Sequence, residues 1–272
     1  MSMKLMLVTS DHDNILEAQK AGIDRIFFDL EYINKTERQR GRNTLILHND
    51  IEEIPHIRKL ITKSELLVRV NAMYPNSKKE IDKAINYGAD IIMLPMVVDA
   101  EDVRLLVEYV GGRAKVMPMI ETAQSLARID DILAVEGIDE IYIGLNDLHI
   151  SMGLTFMFEL LSGGLVEYAA NKIRKAGVKF GFGGMAKIGE GILPAEAILA
   201  EHYRLGSNSV ILSRTFRNEV GDNKAKVDLC YEVGKIREEE KRLENLTDAE
   251  FEQNRLFVKQ KVSEIVNIIN SR

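Results

Sequence analysis

The chain has 272 residues, enough to bury the core of one large α/β domain, and its 46% hydrophobic and 29% charged content excludes a disordered protein. A net charge of -6 argues against a nucleic-acid partner, and the lone cysteine, Cys230, excludes an intrachain disulfide framework and suits a reducing, cytoplasmic home. No apolar run approaches the roughly 18–20 residues of a membrane span, and Met1–Ser10 reads as a strand rather than a secretion leader, so no membrane association is expected.

In chain order, short apolar runs recur at Lys4–Thr9, Arg25–Leu30, Leu66–Val70, Asp90–Pro95, Lys115–Ile120, Glu140–Gly144, Val178–Gly183 and Ser209–Ser213. Each has the length of a buried parallel strand. Between them lie amphipathic stretches with helical spacing: Ile15–Ala21, Asn76–Tyr87, Ala100–Val110, Gln124–Val135 and Gly164–Ala176. Glycines 22, 88, 112, 137, 177 and 206 sit where these helices would end. Alternating β and α elements force a parallel sheet, and eight strands in this length fit a closed (β/α)8 TIM barrel better than an open sheet. The barrel is expected over residues 1–223, followed by a charged helical extension over 224–272. In that extension Thr247-Asp248-Ala249-Glu250 reads as a capping box. The stripe Phe251, Val258, Val262, Ile265 and Ile269 suits either its own barrel or a neighbouring subunit.

Active sites of such barrels lie at the carboxyl ends of the strands. Asp29 and Glu31 end the second run, Arg69 and Asn71 the third, Glu121 the fifth, and Asn146 and Asp147 follow the sixth. The opposite ends, at Lys4, Arg25, Asp90 and Lys115, read as ordinary solvated starts. Glu121 and Asp147 come from adjacent strands, about 4.8 Å apart, so they are able to share a hard cation such as Mg²⁺ or Mn²⁺. Each is equally suited to capping a helix. Arg69 interrupts an apolar run and needs an anion, either a substrate oxygen or a partner in Glu31 or Glu121. "GFGGMA" (Gly181–Ala186) fits a dinucleotide fingerprint in form only, because the following "KIGEGILP" does not open a helix.

These segments resemble the HpcH/HpaI aldolase and citrate-lyase β-subunit family. The resemblance rests on "FFDLE" (Phe27–Glu31), "LLVRVN" (Leu66–Asn71), "GADIIMLPMV" (Gly88–Val97), "MIET" (Met119–Thr122) and "IYIGLNDLHISMG" (Ile141–Gly153). It implies a divalent-metal-dependent barrel that makes or breaks a carbon–carbon bond beside a 2-oxo acid or an acyl-CoA thioester. It implies Glu121 and Asp147 as metal ligands, Arg69 on the substrate's oxo or enolate oxygen, and amides around Asn146 and Asp147 on its carboxylate, with Glu31 lining the same site. It also implies a homo-oligomer, a trimer, dimer or hexamer, that exchanges its C-terminal helices. Where the family's aldolases carry a histidine after the second strand, this chain has Tyr32, so the proton-transfer group must come from elsewhere. His12, just past the first run, is the first choice by position, ahead of His48 and His149. Arg38, Arg40 and Arg42 are basic residues that could meet a distal anion. Lys187 is the nearest lysine for a Schiff-base alternative. Loss of catalysis, leaving a binding or accessory barrel, is a further expectation consistent with Tyr32.

Overall fold

In the computed structural model, which describes residues 2–33, 49–217 and 227–271, eight parallel strands pair in chain order and close into a barrel. They are β1 (Lys4–Val8), β2 (Arg25–Asp29), β3 (Glu65–Arg69), β4 (Ile91–Leu94), β5 (Lys115–Ile120), β6 (Glu140–Ile143), β7 (Lys179–Met185) and β8 (Ser209–Leu212). All eight apolar runs became strands, with ends shifted by at most two residues. His48, Arg38, Arg40 and Arg42 lie outside the described residues.

The pleat sorts the side chains. Outward residues such as Leu5, Ile26, Phe28, Leu66, Val68 and Ile120 join the shell beneath the helices. Inward residues fill the barrel: Met6, Phe27, Leu67, Ile91, Met93, Met117, Met119 and Tyr142. Four methionines in that set suit a tapering interior, since an unbranched thioether fits irregular gaps.

The next inward positions toward the amino ends are charged. Arg25 is 2% exposed and donates to both carboxylate oxygens of Glu140 and, through Nε, to Glu65 at 3.0 Å. Lys115 reaches the same Glu65. Burial alone would lower the pKa of Arg25, but the hydrogen bonds and charge of Glu140 and Glu65 outweigh it and keep the guanidinium charged. Arg25 is therefore not the solvated start that its position suggested. A barrel interior leaves an inward arginine no route to water, so it carries its counter-ions with it.

The helices in order are α1 (His12–Lys20), α2 (Ile54–Leu60), α3 (Ser77–Asn86), α4 (Ala100–Val110), α5 (Ala123–Ala127), α6 (Ile129–Leu133), α7 (Leu145–Ser151), α8 (Glu159–Ser162), α9 (Leu165–Lys175), α10 (Ala195–Leu205), α11 (Leu229–Leu243) and α12 (Asp248–Asn270). The expected helix over Gln124–Val135 is broken into α5 and α6 at Arg128. The charged stretch after residue 224 holds α11, which packs beside α1 and α10 and closes the ring of helices. Glu240 of α11 accepts the backbone N–H of Met3, and Arg237 donates to the Met3 carbonyl. α11, which lies in the stretch expected as a helical extension after residue 223, thus packs directly on the barrel.

The capping box of α12 forms as expected, with Thr247 and Glu250 exchanging hydrogen bonds. Its stripe lies on α8 and α10 of its own chain. Val258, Val262 and Ile265 are buried there, and Asn254 donates to Ala197 O and Glu201. Within the single chain the outer faces of α8 and α10 cover Val258, Val262 and Ile265 of the stripe, while Phe251 is partly buried and Ile269 stays exposed. Among the described residues no helix is long and apolar enough to cross a membrane.

His202 of α10 is fully buried, stacked on Phe182 with ring centroids 3.7 Å apart, and its Nδ1 lies 2.8 Å from Ser207 Oγ. Its Nε2 has no hydrogen-bond partner among the described residues. Burial pushes its pKa down to about 3. The unfolded chain binds this proton near pH 6.5, so the native state loses stability as pH falls from there toward 3, by about 1.4 kcal/mol per unit. Replacing His202 with Gln should flatten that acid limb, and thermal melts at pH 7 and pH 4.5 test it. An unchanged slope would place the acid sensitivity elsewhere.

Candidate active site

At the carboxyl ends the inward pattern continues into polar residues. Phe27 is followed two residues on by Asp29, Leu67 by Arg69, and Met119 by Glu121. Asp29 and Arg69 are paired across the β2–β3 ladder. Arg69 donates to Asp29 through Nε at 2.9 Å and Nη2 at 2.8 Å, and its Nη2 lies 3.3 Å from Glu31. The guanidinium sits 5.2 Å over the Phe27 ring. Burial would lower the Arg69 pKa, yet Asp29 and Glu31 hold it well above its ordinary value, so it stays a permanent cation. The expected partner was Glu31 or Glu121; Asp29 is the principal one. The register signals this, since Asp29 and Arg69 stand opposite each other at matching strand ends.

Glu121 is 2% exposed. Its Oε1 accepts the Met96 N–H at 2.8 Å. Met96 holds a left-handed backbone (φ 54°), a conformation that costs a non-glycine residue energy and here aims its amide at the carboxylate. Oε2 lies against Gly144, where a Cβ would collide with it. Burial, reinforced by the charges of Asp147 and Glu31 and opposed by Arg69, pushes the Glu121 pKa up to about 8. Asp147 is 8% exposed and lies in the first turn of α7, next to half-buried Asn146. The sequence offered a helix start as one of two readings for Asp147, and the structure has one here. As in the first turn of any helix, the amides of Asn146 and Asp147 lack intrahelical acceptors.

The structure thus brings Glu31, Arg69, Glu121 and Asp147 into one electrostatic cluster and adds Asp29. His12 is placed differently: it is exposed in the first turn of α1, with Asp11 capping that helix. His149 is buried with Nδ1 3.2 Å from the Leu145 carbonyl, a structural position. Tyr32 is exposed. Asn71 takes a scaffolding role, accepting the N–H groups of Tyr32 and Ile33 at 3.0 Å each and donating to Glu80. Lys187 is half-buried beyond β7, and the "GFGG" glycines lie within β7, so no dinucleotide turn forms. A cavity of about 520 Å³ opens beside the mouth, bordered by Leu30, Tyr32, Asn71, Tyr74 and Lys79.

Among the described residues no group of three or more His, Cys, Asp or Glu side chains converges as a metal site. Glu121 and Asp147 remain as two hard oxygen donors from adjacent strand ends, a set that leaves coordination positions to water and substrate oxygens, as Mg²⁺ and Mn²⁺ prefer.

A model of the HpcH/HpaI aldolase/citrate lyase family matches residues 3–205. The chain belongs to the HpcH/HpaI aldolase/citrate lyase family. Its fold resembles an HpcH/HpaI aldolase from Desulfitobacterium hafniense, with a TM-score of 0.60 and 17% identity over 91% of this chain and 95% of that one. It also resembles the citrate synthase SbnG, with a TM-score of 0.59 and 22% identity over 78% and 86% of the two chains. A hydroxypyruvate/pyruvate aldolase of Rhizorhabdus wittichii is 34% identical over 79 residues, 26% of this chain and 32% of that protein. A pyruvate kinase of Methylorubrum extorquens is 32% identical over 97 residues, 36% of this chain. These stretches span 20% of the kinase and 32% of the aldolase. The family and the aldolase relative point to a lyase.

Gly144 is the residue on which the position of Glu121 depends. Its φ of -82° suits alanine, so Gly144→Ala acts through space alone, that already taken by Oε2 and Cβ of Glu121 and by Cε of Met119. The added methyl should displace the Glu121 side chain and weaken Mn²⁺ binding by about tenfold or more. Titration of Mn²⁺ by electron paramagnetic resonance reads this, and wild-type affinity in the variant would show that Glu121 is not held for a cation.

Proposed function

We propose that this HpcH/HpaI family member is a divalent-metal-dependent carbon–carbon lyase of the aldolase type, acting on a 2-oxo acid such as pyruvate or oxaloacetate. The observation that carries the reading is the buried carboxylates of Glu121, just past β5, and Asp147, in the first turn of α7 after the adjacent β6, near an Arg69 fixed by Asp29. Their donor chemistry fits Mg²⁺ or Mn²⁺, and such a cation supplies Lewis-acid stabilisation of an enolate when bound.

The chain's own residues do the rest. Glu121 and Asp147 hold the cation. Arg69, its plane set by two hydrogen bonds to Asp29, offers its remaining N–H groups to the oxygen that gains charge as the bond breaks. The first-turn amides of Asn146 and Asp147 take the substrate carboxylate, and Glu31 lines the site next to Arg69. His12 is the proposed base. It stands in the first turn after β1 and is exposed, which lets it exchange its proton with solvent between turnovers.

Glu121→Gln and Asp147→Asn should each abolish Mn²⁺ binding and lower pyruvate release from a 4-hydroxy-2-oxo acid by about a hundredfold or more. His12→Asn should lower the rate and leave Mn²⁺ affinity intact. Retained metal binding in Glu121→Gln would show the site to be misassigned. Tight binding of a 2-oxo acid with no turnover would identify a binding barrel instead.

A further inference from the structure

The ladder between β7 and β8 is interrupted. Gly181 stands opposite Ser209, but Gly184 stands opposite Ile211, so β7 carries one extra residue over that span. Past the bulge Ser213 N donates to Met185 O at 2.8 Å. Parallel rungs repeat every two residues, so the rung before it should run from Ile211 N to Gly183 O. That rung contains a side chain. Ile211 N donates to the Tyr142 hydroxyl at 2.9 Å, and the hydroxyl donates to Gly183 O at 2.5 Å. One phenol oxygen is spliced into a backbone hydrogen bond.

Tyr142 reaches this place from inside the barrel. It is 1% exposed and belongs to the interior cluster with Met93 and Met119. Two glycines of "GFGG" have close neighbours here. A Cβ on Gly181 would come 2.7 Å from Tyr142 Cε2 and closer still to Ser209. Gly183 has a left-handed backbone (φ 58°), and a Cβ there would lie 2.9 Å from Leu145 Cδ1. The bare Gly183 backbone is thus the surface on which Leu145 rests, and Leu145 is the first residue of α7, directly before Asn146 and Asp147.

We propose that Tyr142 is a positioning residue for Asp147: its hydroxyl fixes Gly183, Gly183 seats Leu145, and Leu145 sets the turn that carries Asp147 into the mouth. The proposal rests on the reading of Glu121 and Asp147 as cation ligands only for its effect on metal affinity; the contact route itself does not depend on it.

Tyr142→Phe deletes one oxygen and keeps the ring. Two readouts are needed, amide hydrogen exchange and Mn²⁺ titration. Exchange at Ile211 and across residues 145–147 should rise by about tenfold while β2 to β5 stay protected. Mn²⁺ should bind about tenfold more weakly, and kcat at saturating Mn²⁺ should recover, as expected when a supporting contact of a ligand is lost. Leu145→Ala should weaken Mn²⁺ to a similar degree without touching the Ile211 amide. Faster exchange at Ile211 alone, with residues 145–147 and Mn²⁺ affinity at wild-type values, would reduce Tyr142 to a strand rung and overturn the proposal. Unchanged Mn²⁺ affinity in Leu145→Ala would break the route at its second step. If the wild type binds no Mn²⁺, the cation reading fails, and exchange at residues 145–147 still decides the role of Tyr142.

Discussion

Arg69 carries a full charge with its side chain only 15% exposed, and it does so because Asp29 stands directly across the β2–β3 ladder. A lone guanidinium at that depth would be prohibitive, and a lone carboxylate would take up a proton. Together they form a bidentate pair whose plane is fixed by two strands. Everything else at the mouth is arranged around this rigid cation. Glu31 leans on it, and Glu121 feels it through the barrel interior.

The two ends of the barrel treat charge differently. At the amino end Arg25 and Lys115 meet Glu65 and Glu140, cation for anion, and the pairing is closed. Such a closed set has nothing left to offer a ligand. At the carboxyl end, among the described residues, Arg69 faces Asp29, Glu31 and Glu121, and Asp147 adds its charge beside Glu121. That excess of negative charge, on top of burial, raises the Glu121 pKa to about 8. It is also the electrostatic condition under which a divalent cation is the natural missing counter-charge. The same construction, inward charged residues at strand ends, gives a structural plug at one end and the candidate site at the other. Stoichiometry of charge separates them.

Much of this was legible in the chain. Parallel strands buried on both faces must be short continuous apolar runs, so all eight showed themselves, and a charged residue ending such a run marked the mouth. The partners were less legible because they are distant in sequence: Asp29 lies 40 residues from Arg69, and Glu140 lies 115 from Arg25. No local pattern tells a strand-start arginine in water from one turned into a closed barrel. α7 and α11 were hidden for other reasons. α7 is seven residues long and overlaps the motif that drew attention to Asp147. α11 has the composition of a solvated run, and only the spacing of Leu229, Val233, Ile236 and Leu243 gives it one buried face. Tyr142 read as one more apolar strand residue, since nothing local reveals where a phenol oxygen will end.

The site depends on backbone exceptions as much as on side chains. Met96 adopts a left-handed backbone to aim an amide at Glu121, Gly144 gives up a side chain so that the carboxylate fits, and Gly183 adopts a left-handed backbone under Leu145. All three lie just past or within strand ends at the mouth, and each fixes a group that must not move during the proposed reaction. The strand ends are thereby committed to stationary charge. A group that accepts and releases a proton must instead approach the substrate and exchange with water, and a strand interior allows neither. In the proposed reaction that task is assigned to His12, exposed in the first turn after β1. Under that proposal the barrel divides the labour: strands hold the charges that would stabilise an enolate, and the segments above them would move the proton.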